Sequence, residues 1–137
     1  MLKQISVFVE NKPGRLAAVT EKLNEVKTNI RAFTIAEAGD FGIIRMVVDK
    51  TQEAYEVLKK SGFTVSLTDV IAVEVEDRPG ALYEIAKSLG DANVNIEYCY
   101  AFTSGKHKAL IIMRVNDIEK AKAVLSKMDV LFKGSID

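Results

Sequence analysis

Ile5-Ser6-Val7-Phe8-Val9-Glu10-Asn11-Lys12-Pro13-Gly14-Arg15-Leu16 falls, at an offset of 66 residues, on Ile71-Ala72-Val73-Glu74-Val75-Glu76-Asp77-Arg78-Pro79-Gly80-Ala81-Leu82. The two prolines of the chain superpose. Further on, Leu23 falls on Leu89 and Asn29-Ile30 on Asn95-Ile96. After one extra residue in the second hairpin region, an offset of 67 carries Met46 to Met113, Ala54 to Ala121 and Leu58 to Leu125. A chain that contains itself twice is two copies of one supersecondary unit, so the fold need be read only once.

Each copy passes through the same periodicities. Residues 3–9 and 70–76 alternate with Ile, Val and Phe, the period-2 mark of a half-buried strand. After the Pro-Gly pair the spacing changes. Leu16, Val19, Leu23 and Val26, like Leu82, Ile85, Leu89 and Ala92, step by three, four and three along one helical face. Proline suits the first turn of each helix, because an N–H there has no intrahelical partner to lose. Two extended runs follow in each copy, Asn29–Glu37 with Gly42–Asp49 and Val94–Thr103 with Lys108–Val115. They join through Ala38-Gly39-Asp40 and Ser104-Gly105-Lys106, where glycine at the bend predicts a β-hairpin. Second helices are expected over 51–61, stopped at Gly62, and over 117–127, with short closing strands at Thr64–Leu67 and near Val130–Phe132.

The order is β-α-β-β-α-β, twice. This is an α+β arrangement of ferredoxin-like type: antiparallel sheets, each with its helices on one face, in domains 1–68 and 69–137. A domain of about 60 residues buries only about 60% of its unfolded surface, so the two copies are expected to be clamped together. The short Ser66–Asp69 passage leaves no room for a flexible linker. Exposed sheet edges invite pairing, and a homodimer is expected.

Composition removes several functions. With 48% hydrophobic and 28% charged residues the chain is ordinarily globular. Nineteen Lys plus Arg against nineteen Asp plus Glu leave no net charge, and with it no global attraction to nucleic acid or an anionic membrane. Apolar runs such as Ala109–Met113 are far short of the roughly twenty residues that cross a bilayer, and Glu10 arrives too soon for a signal-peptide core. A soluble cytoplasmic protein is expected. A single cysteine, Cys99, makes no internal disulfide and has no neighbours at metal-ligand spacing, so neither a metal site nor a cofactor is expected.

Catalytic candidates are few. His107, the one histidine, sits beside a hairpin glycine between lysines and reads as a solvated turn residue. Cys99 reads as a small buried hydrophobe rather than a reactive thiol. No glycine-rich phosphate loop occurs. Tyr98, Tyr100 and Phe102 share one alternating face, with Phe33 and Ile35 taken as their register mates in the first copy. That stripe fits core or interdomain packing, contact with a small molecule, or, less well given the missing basic surplus, stacked bases.

What remains is the repeated loop. Glu10-Asn11-Lys12-Pro13-Gly14 and Glu76-Asp77-Arg78-Pro79-Gly80 run from a strand end into a helix start, where backbone N–H groups and the positive end of the helix dipole favour a carboxylate. The same residues also serve any tight turn in which an Asx side chain accepts a local N–H. Asn29 and Asn95, just after each helix, could cap the helix end or reach a ligand.

The strand, Glu-Asn-Lys-Pro-Gly-Arg-Leu or Glu-Asp-Arg-Pro-Gly-Ala-Leu, the amphipathic helix, and then Thr28-Asn29-Ile30 or Val94-Asn95-Ile96 closely resemble the ACT domain, a small regulatory module of amino-acid metabolism. The resemblance spans nearly the whole chain and implies a stand-alone tandem ACT protein without a catalytic domain. It implies an amino-acid effector at domain interfaces, held by the loop after the first strand and the start of the second. Carried onto this sequence, those are Asn11, Lys12, Pro13, Gly14, Arg15 and Leu16 with Asn29 and Ile30, and Asp77, Arg78, Pro79, Gly80, Ala81 and Leu82 with Asn95 and Ile96. Asp77 would repel a ligand carboxylate placed close by, although it could pair with an α-ammonium group, so unequal sites are expected, the first loop being the better carboxylate receptor. The leading expectation is a non-catalytic sensor reporting to a metabolic enzyme or other partner; a structural interaction module and a small ferredoxin-like enzyme are the alternatives.

Overall fold

The computed structural model describes residues 2–103, 105, 107–132 and 134. In order these form β1 (Leu2–Glu10), α1 (Arg15–Glu25), β2 (Ile30–Ala38), β3 (Phe41–Val48), α2 (Thr51–Lys60), β4 (Thr64–Glu76), α3 (Ala81–Asp91), β5 (Ile96–Thr103), β6 (Lys108–Val115) and α4 (Ile118–Lys127). They gather into two compact units: Lys3–Thr68, and Asp69–Gly134 with Leu2. The bend expected at Ser104-Gly105-Lys106 lies, apart from Gly105, outside the described residues, as do the ends of the chain.

In the first unit β3 lies between β1 and β2, antiparallel to both, with Val7 opposite Ile44 and Ile44 opposite Ile35. Alternation then places Ile5, Val7, Val9, Ile44, Met46 and Val48 on one face, where they are buried with Val19 and Leu23 of α1 and Ala54 and Leu58 of α2. The second unit repeats the plan. β6 lies between β4 and β5, and Ile71, Val73, Val75, Ile111, Met113 and Val115 pack with Ile85, Leu89, Ala121 and Leu125. Each fully buried aliphatic side chain contributes about 1.5–3 kcal/mol of transfer free energy, and these cores hold the helices on the sheets.

All four helices end alike. A residue in the left-handed region, Lys27 (φ 55°), Gly62 (φ 93°), Asn93 (φ 61°) or Asp129 (φ 56°), follows each C-cap. Its N–H and the next one donate back to the last turn, as Gly62 does to Lys59 O and Phe63 to Leu58 O. These are Schellman ends, which satisfy carbonyls that the helix leaves over. The stop at Gly62 is as expected.

Several details depart from the sequence reading. The helices begin two residues after the prolines, with Gly14 (φ 89°) and Gly80 (φ 90°) at the N-caps, so proline belongs to the preceding turn. The first closing strand does not end at Leu67. Thr64–Glu76 is one strand through the passage 66–69, so no loop lies there. The second closing strand is only a bridge, Leu131 opposite Val73, flanked by hydrogen bonds from Glu74 N to Val130 O and Phe132 N to Ala72 O. Leu82 is 51% exposed, and the buried face of α3 starts instead at Ala81.

The aromatic stripe is also reassigned. Tyr100 stands opposite Ile112 and Phe102 opposite Leu110, whereas Phe33 and Ile35 stand opposite the core residues Met46 and Ile44. The register mates of Phe33 and Ile35 are therefore Cys99, opposite Met113, and Ala101, opposite Ile111. The offset of 66 residues between the copies gives the same pairing, and the bulge early in each of β2 and β5 falls at the same place in both. Cys99 is exposed, not buried.

Candidate ligand site

Each loop is first of all a stitched turn. Asn11 N donates to Asp40 O at 2.8 Å, Lys12 N to Glu10 O at 3.0 Å and Arg15 N to Lys12 O at 3.5 Å. The second loop repeats this with Asp77 N to His107 O at 2.7 Å, Arg78 N to Glu76 O at 3.0 Å and Ala81 N to Arg78 O at 3.3 Å. Three of the five expected main-chain donors in each loop are thus taken by the protein's own oxygens. The N–H groups of Gly14, Leu16 and Ala17, and of Gly80, Leu82 and Tyr83, enter no such bond among the described residues. No side chain caps either helix, so these amides keep the partial positive charge of the helix start.

Side chains separate the two loops. The Asn11 carboxamide does not close an Asx turn; its Nδ2 donates to Gly39 O at 3.1 Å, tying the loop to the β2–β3 turn. Arg15 is partly buried, its Nε is buried without a hydrogen-bond partner, and no carboxylate pairs with it among the described residues. In the second loop Ala81 stands in that place. Arg78 there donates to Glu76 Oε2 at 3.1 Å and to Glu84 Oε2 at 2.8 Å. Those bonds, Glu84 first, hold its guanidinium pKa above the usual arginine value.

A cavity of about 420 Å³ opens against the first loop. Asn11, Lys12, Gly14, Arg15 and Leu16 line it together with Val9, Glu10, Ala17, Ile35, Ala36, Glu37 and Gly42. Glu10 and Lys12 pair at 3.2 Å, which leaves Arg15 and Glu37 as the lining charges without a partner among the described residues. Pro13 is exposed in the turn and does not line the cavity. Around the second loop, Arg78 and Ala81 line a different cavity of about 300 Å³, with Glu74, Glu76, Glu84, Lys108 and Asp129 among its walls. Asp77, Pro79, Gly80 and Leu82 are not among them.

Asn29 and Ile30 are not brought to the loop. They lie at the Val48 end of β2, while the loop meets the Ala38–Phe41 end. Asn29 N donates to Asp49 Oδ1 at 2.9 Å and Asp49 N to Asn29 O at 3.1 Å; Asn95 repeats this with Asn116 at 2.9 and 3.2 Å, and Ile96 begins β5. The main chain at Asn29 and Asn95 is thus pinned by the side chains of Asp49 and Asn116. The helix-capping role is overturned, since the Schellman bonds close those helices. His107 is an exposed turn residue (φ 61°) whose carbonyl holds the second loop.

A helix start facing a walled cavity, twice-repeated βαββαβ units and a shared loop motif together specify a family. Residues 1–134 match the model described as an ACT domain pair. The chain belongs to that family. It is similar to protein BT0572 from Bacteroides thetaiotaomicron, with 39% identity over 96% of this chain and 91% of that one and a TM-score of 0.90. It also shares its fold with the ligand-free regulatory subunit of aspartate kinase from Thermus thermophilus, at 20% identity, 93% and 90% coverage and a TM-score of 0.71. The same subunit from Thermus flavus has 20% identity, 93% and 90% coverage and a TM-score of 0.66. No curated protein matches the chain.

In this ACT pair the lining residues that sequence reasoning missed are Val9, Ala17, Ala36, Glu37 and Gly42; Ile35 was named only as part of the aromatic stripe. A signal was present. A helix that returns antiparallel to β1 delivers the start of β2 to the far end of the unit, so it is the hairpin end of β2 that meets the loop. Among the described residues no three His, Cys, Asp or Glu gather as a metal would require, and no helix is long and apolar enough to cross a membrane.

Proposed function

We propose that this ACT pair is a non-catalytic regulatory protein that binds a small amino acid in the cavity beside the first loop and signals through domain packing to a metabolic enzyme. One observation carries the reading: the bare N–H groups of Leu16 and Ala17 and the unpaired Arg15 share one walled space. That is a receptor for a carboxylate. Binding between millimolar and micromolar Kd needs about 4–8 kcal/mol, and a helix end supplies about 0.3–2 of it. Burial of the ligand side chain against Val9, Leu16, Ile35 and Ala36 supplies much of the rest. The fold shared with regulatory subunits of aspartate kinase supports a metabolic enzyme as partner, and cytoplasmic residence accords with such a partner. Half-exposed Phe33 and Ile35 on edge strand β2 support a homodimer that covers them.

Thermal denaturation in the presence of each of the twenty amino acids tests the reading. A ligand at a hundred times its Kd adds about 2.7 kcal/mol and raises Tm by several degrees. No shift for any of them, with calorimetric titration equally silent, would exclude an amino-acid sensor.

A further inference from the structure

We infer that the chain holds a single amino-acid site, in the first unit, and that its ligand carries an aliphatic side chain, with Arg15 receiving the carboxylate and Glu37 the ammonium. The inference rests on the reading above and sharpens it. A zwitterion needs one cation and one anion within reach, and Arg15 and Glu37 line the same cavity with neither engaged by another described residue.

The second unit lacks both charges. Glu37 stands opposite Gly42 on β3, and Thr103 holds the corresponding place opposite Ala109 on β6. Arg15 opens α1 where Ala81 opens α3. The cation that remains there, Arg78, is held between Glu76 and Glu84. A ligand carboxylate approaching α3 would meet acids, not a free guanidinium.

Gly42 is a further wall of the first cavity, where an added Cβ would make ordinary van der Waals contacts. A Cβ built there would lie 3.4 Å from Ala36 O and 3.7 Å from Val9 Cγ2, both on lining residues, and the backbone is not in the left-handed region. Ala109 carries that methyl group in the second unit. Five further wall residues of the first cavity, Val9, Leu16, Ala17, Ile35 and Ala36, are hydrocarbon; of the polar ones, Lys12 is paired with Glu10 and the Asn11 carboxamide donates to Gly39 O. A charged ligand side chain would be desolvated against them without compensation, whereas an aliphatic one gains from the same burial.

The test is calorimetric titration of the full chain with L-leucine, L-isoleucine, L-valine and L-methionine beside L-lysine and L-aspartate. Leucinamide, which lacks the carboxylate, and N-acetyl-leucine, which lacks the ammonium, complete the set. Amide chemical shifts map the location. At least one aliphatic amino acid is expected to bind at no more than one per chain, at least tenfold tighter than lysine, aspartate or the blocked leucines. Its largest shifts are expected at Gly14, Leu16, Ala17 and Gly42, and Arg15→Ala and Glu37→Gln should each weaken it at least tenfold. Two ligands per chain, tighter binding of lysine or aspartate, or equal shifts at Gly80, Leu82 and Tyr83 would overturn the inference and leave the sensor standing. Silence from every amino acid, with the fold intact by circular dichroism, would overturn both.

Discussion

Gly14 and Gly80 hold φ near 90° at the helix starts, a region that a Cβ disfavours by about 1–2 kcal/mol. Around Gly14 a built Cβ meets nothing within 4 Å, so Gly14→Ala isolates backbone strain from packing. Strain of about 1–2 kcal/mol less about 0.4–1 from the stiffer unfolded chain should lower stability by about 0.5–1 kcal/mol in urea unfolding with an unchanged m-value. Arg15 bears on binding in the opposite way: it stabilises nothing through an ion pair in the free protein, so Arg15→Ala should leave Tm within a degree or two while amino-acid affinity drops. A large loss of stability instead would mean that the guanidinium holds the unit together. Of the candidate residues, the loop was legible because Pro-Gly after an alternating run announces a strand-to-helix turn. Glu37 was not, because only the pairing of β2 with β3 brings it beside a residue more than twenty positions earlier.

Elements were legible where period and punctuation agreed. The hydrophobic steps of α1 to α4 and the glycine at 39 placed helices and hairpin, whereas only the pairing of β2 with β3 and of β5 with β6 shows which side chains stand opposite the core residues. β4 was hidden for a different reason: polar Ser66, Thr68 and Asp69 read as a passage, yet their backbone continues as strand. The helix ends yield a paired prediction. Lys27 bears a side chain in the left-handed region (φ 55°), so Lys27→Gly relieves about 1–2 kcal/mol of strain and returns about 0.4–1 through the freer unfolded chain. The net gain should be about 0.5–1 kcal/mol, read as a rise in Tm. Gly62→Ala should move Tm the other way, since there the strain is introduced and the entropy does not outweigh it.

At the scale of the whole molecule the two cores are separate sets of residues. Leu58→Ala opens a cavity among Ile5, Ile44 and Met46, and Leu125→Ala one among Ile71, Ile85 and Met113, each costing about 2–5 kcal/mol. Sharing no core partner, the two losses should add within about 0.5 kcal/mol in the double variant, measured by denaturant unfolding. Assembly makes a further demand. If the chain pairs through edge strand β2, replacing Phe33 and Ile35 by lysine should halve the mass seen in sedimentation equilibrium without altering circular dichroism.

The Asn11 carboxamide, fastened to Gly39 O, and the Asn11 amide, fastened to Asp40 O, make the first loop and the β2–β3 turn move as one body. In the second loop the tie among the described residues is the main-chain bond from Asp77 N to His107 O, with no side-chain bond from Asp77 beside it. A molecule that gripped the first loop would therefore bear on β2 and β3 at once, through the turn that joins them.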